Sequence, residues 1–204
     1  MSVVEGGPRS GLVARVQNIL LKPTTEWDVI DGEPATVQGL FTGYAMILAA
    51  IPAVAGAIGS LIFVHNPIIA AVTAILGYIF ALVGVFVAGF IIDALAPSFD
   101  GQKNQVQAMK VAVYANTAAW IGGIASLIPF LGWIGAIAGG LYSLYLLYLG
   151  LPKLMKAPQE KALGYFIVVL VIEIVVSVVI GMIVGAIVAM TVVGAAVGSA
   201  AAVH

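Results

Sequence analysis

The sequence predicts an all-α integral membrane protein: a bundle of five transmembrane helices preceded by an amphipathic interfacial helix. Three observations carry this. The 204-residue chain is 62% hydrophobic and 8% charged, with a mean hydropathy of +1.16, whereas soluble domains average about 25% charged residues. Five apolar runs reach the length of about 20 residues that a helix needs to cross a bilayer. All eight Lys and Arg residues then fall on one side of those runs.

Three segments follow from this reading. Residues 1–39 form a cytoplasmic N-terminal segment, 40–192 a five-span membrane domain, and 193–204 a short non-cytoplasmic tail. In the first segment Leu12, Val13, Val16, Ile19 and Leu20 share one helical face, with Arg9, Arg15, Asn18 and Lys22 mostly off it. That pattern predicts an amphipathic helix in the inner-leaflet interface. Pro23 ends it, and Thr24 or Thr25 is placed to cap a short second helix carrying Trp27 and Ile30. No short apolar core precedes a small-residue cleavage site, so the first span is expected to act as the targeting signal.

The spans run from about Leu40 to Val64, Ile68 to Ala96, Val106 to Ile128, Leu131 to Leu151, and Ala162 to at least Met190. The runs are continuous rather than alternating, and backbone polar groups in lipid must be paired internally, so helices are expected. Breakers sit between them: His65-Asn66-Pro67, Pro97 to Gly101, Pro129 to Gly132, and Pro152 to Glu160. Arg9, Arg15 and Lys22 precede the first span; Lys103 and Lys110 follow the second; Lys153, Lys156 and Lys161 follow the fourth. The positive-inside bias places the N-terminus in the cytoplasm and the C-terminus outside.

Small residues recur every three or four positions in every span. Ala108, Ala112, Ala115, Ala119, Gly122 and Ser126 make one seam, Gly135, Gly139 and Ser143 another, and Ser177, Gly181, Gly185 and Ala189 a third. Such stripes let helices approach closely in lipid. They predict packing within the bundle, with self-association through a spare seam as the other use.

Two acids interrupt the apolar runs. Asp93 lies near the cytoplasmic end of the second span, within reach of headgroups or Lys103. Glu173 lies about ten residues into the fifth span, roughly 15 Å deep at the helical rise. Asn116 enters the third span from the same side to a similar depth, with Ser143 and Ser177 nearby. A carboxylate there, with no cation at its level, would cost several kcal/mol or more, so a neutral carboxyl donating to Asn116 or a backbone carbonyl is expected. Glu173, Asn116 and Asp93 are therefore the candidate intramembrane polar site, read either as a structural hydrogen bond or as a proton- or cation-coupled transport site.

No enzyme signature is present. There is no Cys, no His-Glu-x-x-His, and only His65 and His204 as histidines. No catalytic residue, metal ligand set or cofactor site is assigned. No basic face suits nucleic acid.

Several segments resemble one family. Asn18-Ile19-Leu20-Leu21-Lys22-Pro23-Thr24-Thr25-Glu26-Trp27, Leu40-Phe41-Thr42-Gly43-Tyr44, and Asp93-Ala94-Leu95-Ala96-Pro97 are similar to bacterial members of the Ypt-interacting-protein (Yip) family. The most specific match runs from Leu144 to Met155, with Gly164-Tyr165 following. The resemblance implies five membrane helices, a cytoplasmic N-terminus and, for a bacterial member, the inner membrane. Eukaryotic relatives are associated with Rab-type GTPases; this chain's N-terminal segment lacks their long extension, so that partner is not carried over. The reading reached is a non-enzymatic membrane scaffold or organiser. It contacts the lipid bilayer, self-associates through small-residue seams, and docks a protein partner at the N-terminal helix or the loop between the fourth and fifth spans. A small transporter or channel using Glu173 is the alternative.

Overall fold

The computed structural model describes the backbone of residues 11–201 and, within them, the side chains of all but 129, 192 and 194–201. Arg9, His204 and most of the 193–204 tail therefore lie outside the described side chains. In chain order the helices are α1 (Leu12–Leu21), α2 (Pro23–Gly32), α3 (Val37–Leu40), α4 (Met46–Phe63), α5 (Pro67–Leu95), α6 (Gln105–Ala115), α7 (Thr117–Gly122), α8 (Pro129–Leu154) and α9 (Gln159–Ala201). A π-helical turn, Phe41–Ala45, joins α3 to α4, and 3-10 turns cover Ala96–Phe99 and Gly123–Leu127. No strand occurs among the described residues.

Four helical stretches are long and apolar enough to cross a membrane: Val37–Phe63, Pro67–Phe99, Phe130–Leu154 and Gln159–Thr191. Their outward faces carry a belt of exposed apolar side chains such as Ile79, Phe86, Ile137, Val171 and Val178. Contiguous apolar surface of that extent calls for lipid.

The third apolar run departs from the expected single helix over 106–128. It is divided into α6, α7 and a 3-10 turn. At the break, the Asn116 Nδ2 donates to the Ala112 carbonyl at 2.9 Å and the Thr117 hydroxyl to the Tyr114 carbonyl at 2.7 Å. Side chains that bond their own backbone compete with the helix ladder. The run tolerates the break because it is the core of the bundle: every residue from Ala108 to Ala115 is buried. Backbone groups freed there find protein partners rather than lipid.

The small-residue seam between this run and α8 is tight. A Cβ added to Gly122 would lie 2.6 Å from the Gly135 carbonyl oxygen, and one added to Gly139 would lie 2.6 Å from that of Ala118. Only glycine admits such backbone approach. Turn chemistry also follows the breakers. Asn66 Oδ1 accepts from the amides of Ile68 and Ile69, capping α5 ahead of its first-turn Pro67. Pro152, expected in a turn, instead lies inside α8, and the chain turns at Lys156, whose φ is 55°.

The largest departure is in the N-terminal segment. Two helices form and Pro23 separates them, but neither threonine caps α2; Thr25 Oγ1 donates to the Lys22 carbonyl. Arg15 does not lie off the apolar face. It is fully buried beside Ile19, one turn on, and is paired with Glu26 and Glu33. Trp27 and Ile30 are buried as well, Trp27 lying edge-on to Tyr114 at 6.4 Å. Lys110 from α6 donates to the carbonyls of Ile30 at 2.8 Å and Glu33 at 2.6 Å, closing the C-terminus of α2 with a positive charge. Residues 12–33 thus form a cap locked onto the bundle.

The cap lies at the charged end. Lys153 binds the Thr24 carbonyl and Asp28, Lys156 binds Asp31, and Lys161 binds Asp100. These exposed pairs hold alignment more than stability. The Arg15 cluster is different. Burial disfavours its charge, but the hydrogen bond to Glu33 and the nearby charges of Glu33 and Glu26 hold the guanidinium protonated beyond the ordinary arginine range. Removing one partner of a buried ion pair typically costs about 3–5 kcal/mol, whereas replacing the whole set by neutral groups is often close to neutral. Arg15→Ala is therefore expected to lose about that much stability in detergent unfolding. The combined Arg15→Met, Glu26→Gln, Glu33→Gln variant should regain most of the loss; equal destabilisation of both would show that the charges are not the coupled element.

Candidate functional site

Glu173 projects from α9 at the level where α6 breaks. Two hollows meet at its side chain. One, of about 440 Å³, lies between α5 and α9 and includes Asn116, Trp120, Glu173 and Ser177 in its wall. The other, of about 180 Å³, is walled by Asn116, Ala119, Ser143 and Glu173 among others. Glu173 and Asn116, expected at similar depth, thus share both walls, with Ser177 joining them in the first hollow and Ser143 in the second.

Their hydrogen bonds differ from expectation. Among the described residues none joins Glu173 to Asn116 or to a backbone carbonyl. The Asn116 amide turns back to Ala112. Ser143 Oγ accepts from the Ala119 amide at 3.0 Å, satisfying one of the N–H groups that the first turn of α7 leaves without a helical partner. Ser177 makes no hydrogen bond among the described residues, although Thr73 and Thr191 each bond the carbonyl four residues back.

Asp93 is not brought to this site. It lies beside Tyr165, closer to the charged end, and its Oδ1 is buried without a hydrogen-bond partner. Lys103, the cation expected near it, is exposed, and Asp93 forms no ion pair among the described residues. Around it a tier packs α5 against α9. Phe99 and Tyr165 stack at 5.0 Å with an interplanar angle of 8°. The Tyr165 hydroxyl donates to the Ile92 carbonyl. Ile92, Tyr165 and Val169 are fully buried.

A second polar network, unforeseen from the sequence, lies under the cap. Thr117 gives its proton to the Tyr114 carbonyl, so Tyr44 donates to the Thr117 oxygen at 2.8 Å. The π-helical turn over Phe41–Ala45 carries Tyr44 inward onto Tyr114, ring centres 4.8 Å apart. Arg15 lies over the Tyr114 ring at 5.6 Å. Residues so far apart in sequence leave no local signal; only Trp27 and Ile30, three apart within a charged stretch, hint at a buried face.

No three His, Asp or Glu residues cluster to hold a metal among the described residues. What the fold and site define is an all-helical integral membrane protein with polar groups at depth. The chain belongs to the Yip1 domain family, whose model matches residues 18–181. It is 27% identical over 173 residues, 78% of this chain and 88% of the relative, to the inner membrane protein YohC of Escherichia coli strain K12. The YohC protein of Escherichia coli O6:H1 strain CFT073 matches to the same extent. No solved structure matches the chain.

The Tyr44–Thr117 bond gives a direct test of the network. Tyr44→Phe removes the donor and leaves a buried hydroxyl underpaired, which costs about 1–2 kcal/mol. Unfolding in detergent should register that loss; an unchanged midpoint would place the hydroxyl in contact with water.

Proposed function

We propose that this chain is a non-enzymatic organiser of the bacterial inner membrane, with the charged end and its cap facing the cytoplasm and the C-terminus outside. The observation that carries the reading is the closely packed tier of Ile92, Phe99, Tyr165 and Val169. It stands between Glu173 and the charged end, which supports a lateral role over a path through the bundle. The inner-membrane relatives and the one-ended cations support the placement.

The cap supplies the docking face in this reading. Its inner side is committed to Arg15, Trp27 and Ile30, while Val13 and Leu21 remain 68% and 78% exposed. Self-association fits the outer part of α9, where a Cβ at Gly185 would meet nothing within 4 Å. A second reading, proton- or cation-coupled transport through Glu173 and Asn116 with Asp93 towards the cytoplasm, is favoured by one fact: Glu173 borders both hollows without a hydrogen-bond partner among the described residues.

Two experiments separate the readings. Proteoliposomes holding the wild type or Glu173→Gln should show the same proton and cation permeability under an imposed gradient. Flux abolished by Glu173→Gln would establish transport. In cells, Val13→Asp with Leu21→Asp should strip co-purifying proteins from the full chain while its melting temperature holds. Retention of every partner would remove the cap as the docking face.

A further inference from the structure

The hollow between α5 and α9 is a groove with a polarity gradient. On α9 its wall is Glu173, then Ser177, then Ile180, Gly181 and Val184. On α5 it extends from Ile91, nearest the charged end, to Gly77. Asn116 joins Glu173 and Ser177 at the polar end, and the far end is apolar. The Phe99–Tyr165 tier packs α5 against α9 on the charged side of Glu173, and the neighbouring Val175 and Val178 of α9 are exposed.

Its dimensions select the occupant. Gly77 and Ile91 lie 14 residues apart on α5, about 21 Å at the helical rise. A volume of about 440 Å³ lies within the range of about 300–1,000 Å³ usual for small-molecule sites. The length suits one extended hydrocarbon chain. The glycines keep it open: a Cβ at Gly77, Gly84 or Gly181 would meet nothing within 4 Å.

The polar end selects the head. The Glu173 carboxyl and the Ser177 hydroxyl have no hydrogen-bond partner among the described residues, and the Asn116 Oδ1 is unused by its bond to Ala112. No Lys, Arg or His lines the groove, so an anionic head would find no counter-charge and would face a carboxyl. A hydroxyl, by contrast, both donates and accepts, and so matches the carboxyl, the Ser177 hydroxyl and the Asn116 Oδ1. We propose that the α5–α9 groove is a binding site for a single-chain lipid with an uncharged, hydrogen-bonding head, held with the head at Glu173, Ser177 and Asn116 and the chain running toward Gly77 and Gly181. This goes beyond the organiser reading and is independent of it, since loss of partners from the cap leaves the groove unchanged.

The test uses the full chain in phosphatidylcholine nanodiscs and a long-chain alcohol carrying a photoreactive diazirine in its tail. Label should concentrate on the α5 and α9 peptides that line the groove, and excess hexadecanol should reduce it several-fold. Gly84→Leu and Gly181→Leu, whose side chains grow into open space, should each lower labelling several-fold with no fall in melting temperature. Glu173→Leu should weaken competition by hexadecanol. Label spread over all lipid-facing helices in proportion to their exposure, or unaffected by either filling substitution, would overturn the site. Competition by hexadecylamine or hexadecyl phosphate as strong as by hexadecanol would overturn the uncharged head.

Discussion

The fold depends on how it handles one buried charge. Arg15 sits with no solvent contact, and the protein answers with two glutamates from its own N-terminal segment and the ring of Tyr114. A guanidinium suits this position because its planar fork serves two carboxylates at once. Lys110 then fastens the end of α2 to α6 through backbone carbonyls. Trp27 fits against α8 because residue 150 is glycine; a Cβ there would lie 2.8 Å from the indole ring. The charged pairs orient the cap, while its apolar side chains supply the burial that holds it.

Helix length gives the cap a place to stand. α5 has 29 residues, about 43 Å at the helical rise, against a hydrocarbon core of about 30 Å. The surplus lets helix ends extend beyond the lipid, where α2 and the α8–α9 turn gather around them. The most polar apolar run, α6 with α7, is placed inside the bundle, and the most apolar helix, α9, is placed at its edge with most of its apolar stretch exposed. Each run lies in the solvent its composition suits. α9 meets α5 closely at the Phe99–Tyr165 tier and leaves the groove open beyond it, so the same two helices make both the close contact and the cavity.

Membership of the Yip1 domain family gives these features a setting without assigning a reaction. The polar groups at depth divide into two sets with different character. Tyr44, Thr117 and Arg15 find hydrogen-bond partners within the protein, with the Arg15 Nε alone of their buried polar atoms left without one among the described residues. Glu173 and Ser177 do not. A satisfied network stiffens a core, whereas unspent polar groups at a cavity wall are where a ligand finds its contacts.

By itself the sequence determined the solvent, the all-helical class, the long apolar runs, the turn residues and the gathering of cations at one end. Each of these follows from local composition and spacing: an apolar run of bilayer length, Asn66 before Pro67, glycine every fourth residue. It also predicts Glu173, Asn116 and Ser143 at similar depth, because helical rise converts residue number into depth. Only the tertiary structure decided that the third run breaks at Asn116, that Arg15 turns inward, that Asp93 belongs to the packed tier, and that α5 and α9 part to form a groove. Those outcomes depend on which helices become neighbours. Arg15 meets Glu33, and Tyr44 meets Thr117, across separations at which spacing along the chain carries no information about direction or distance.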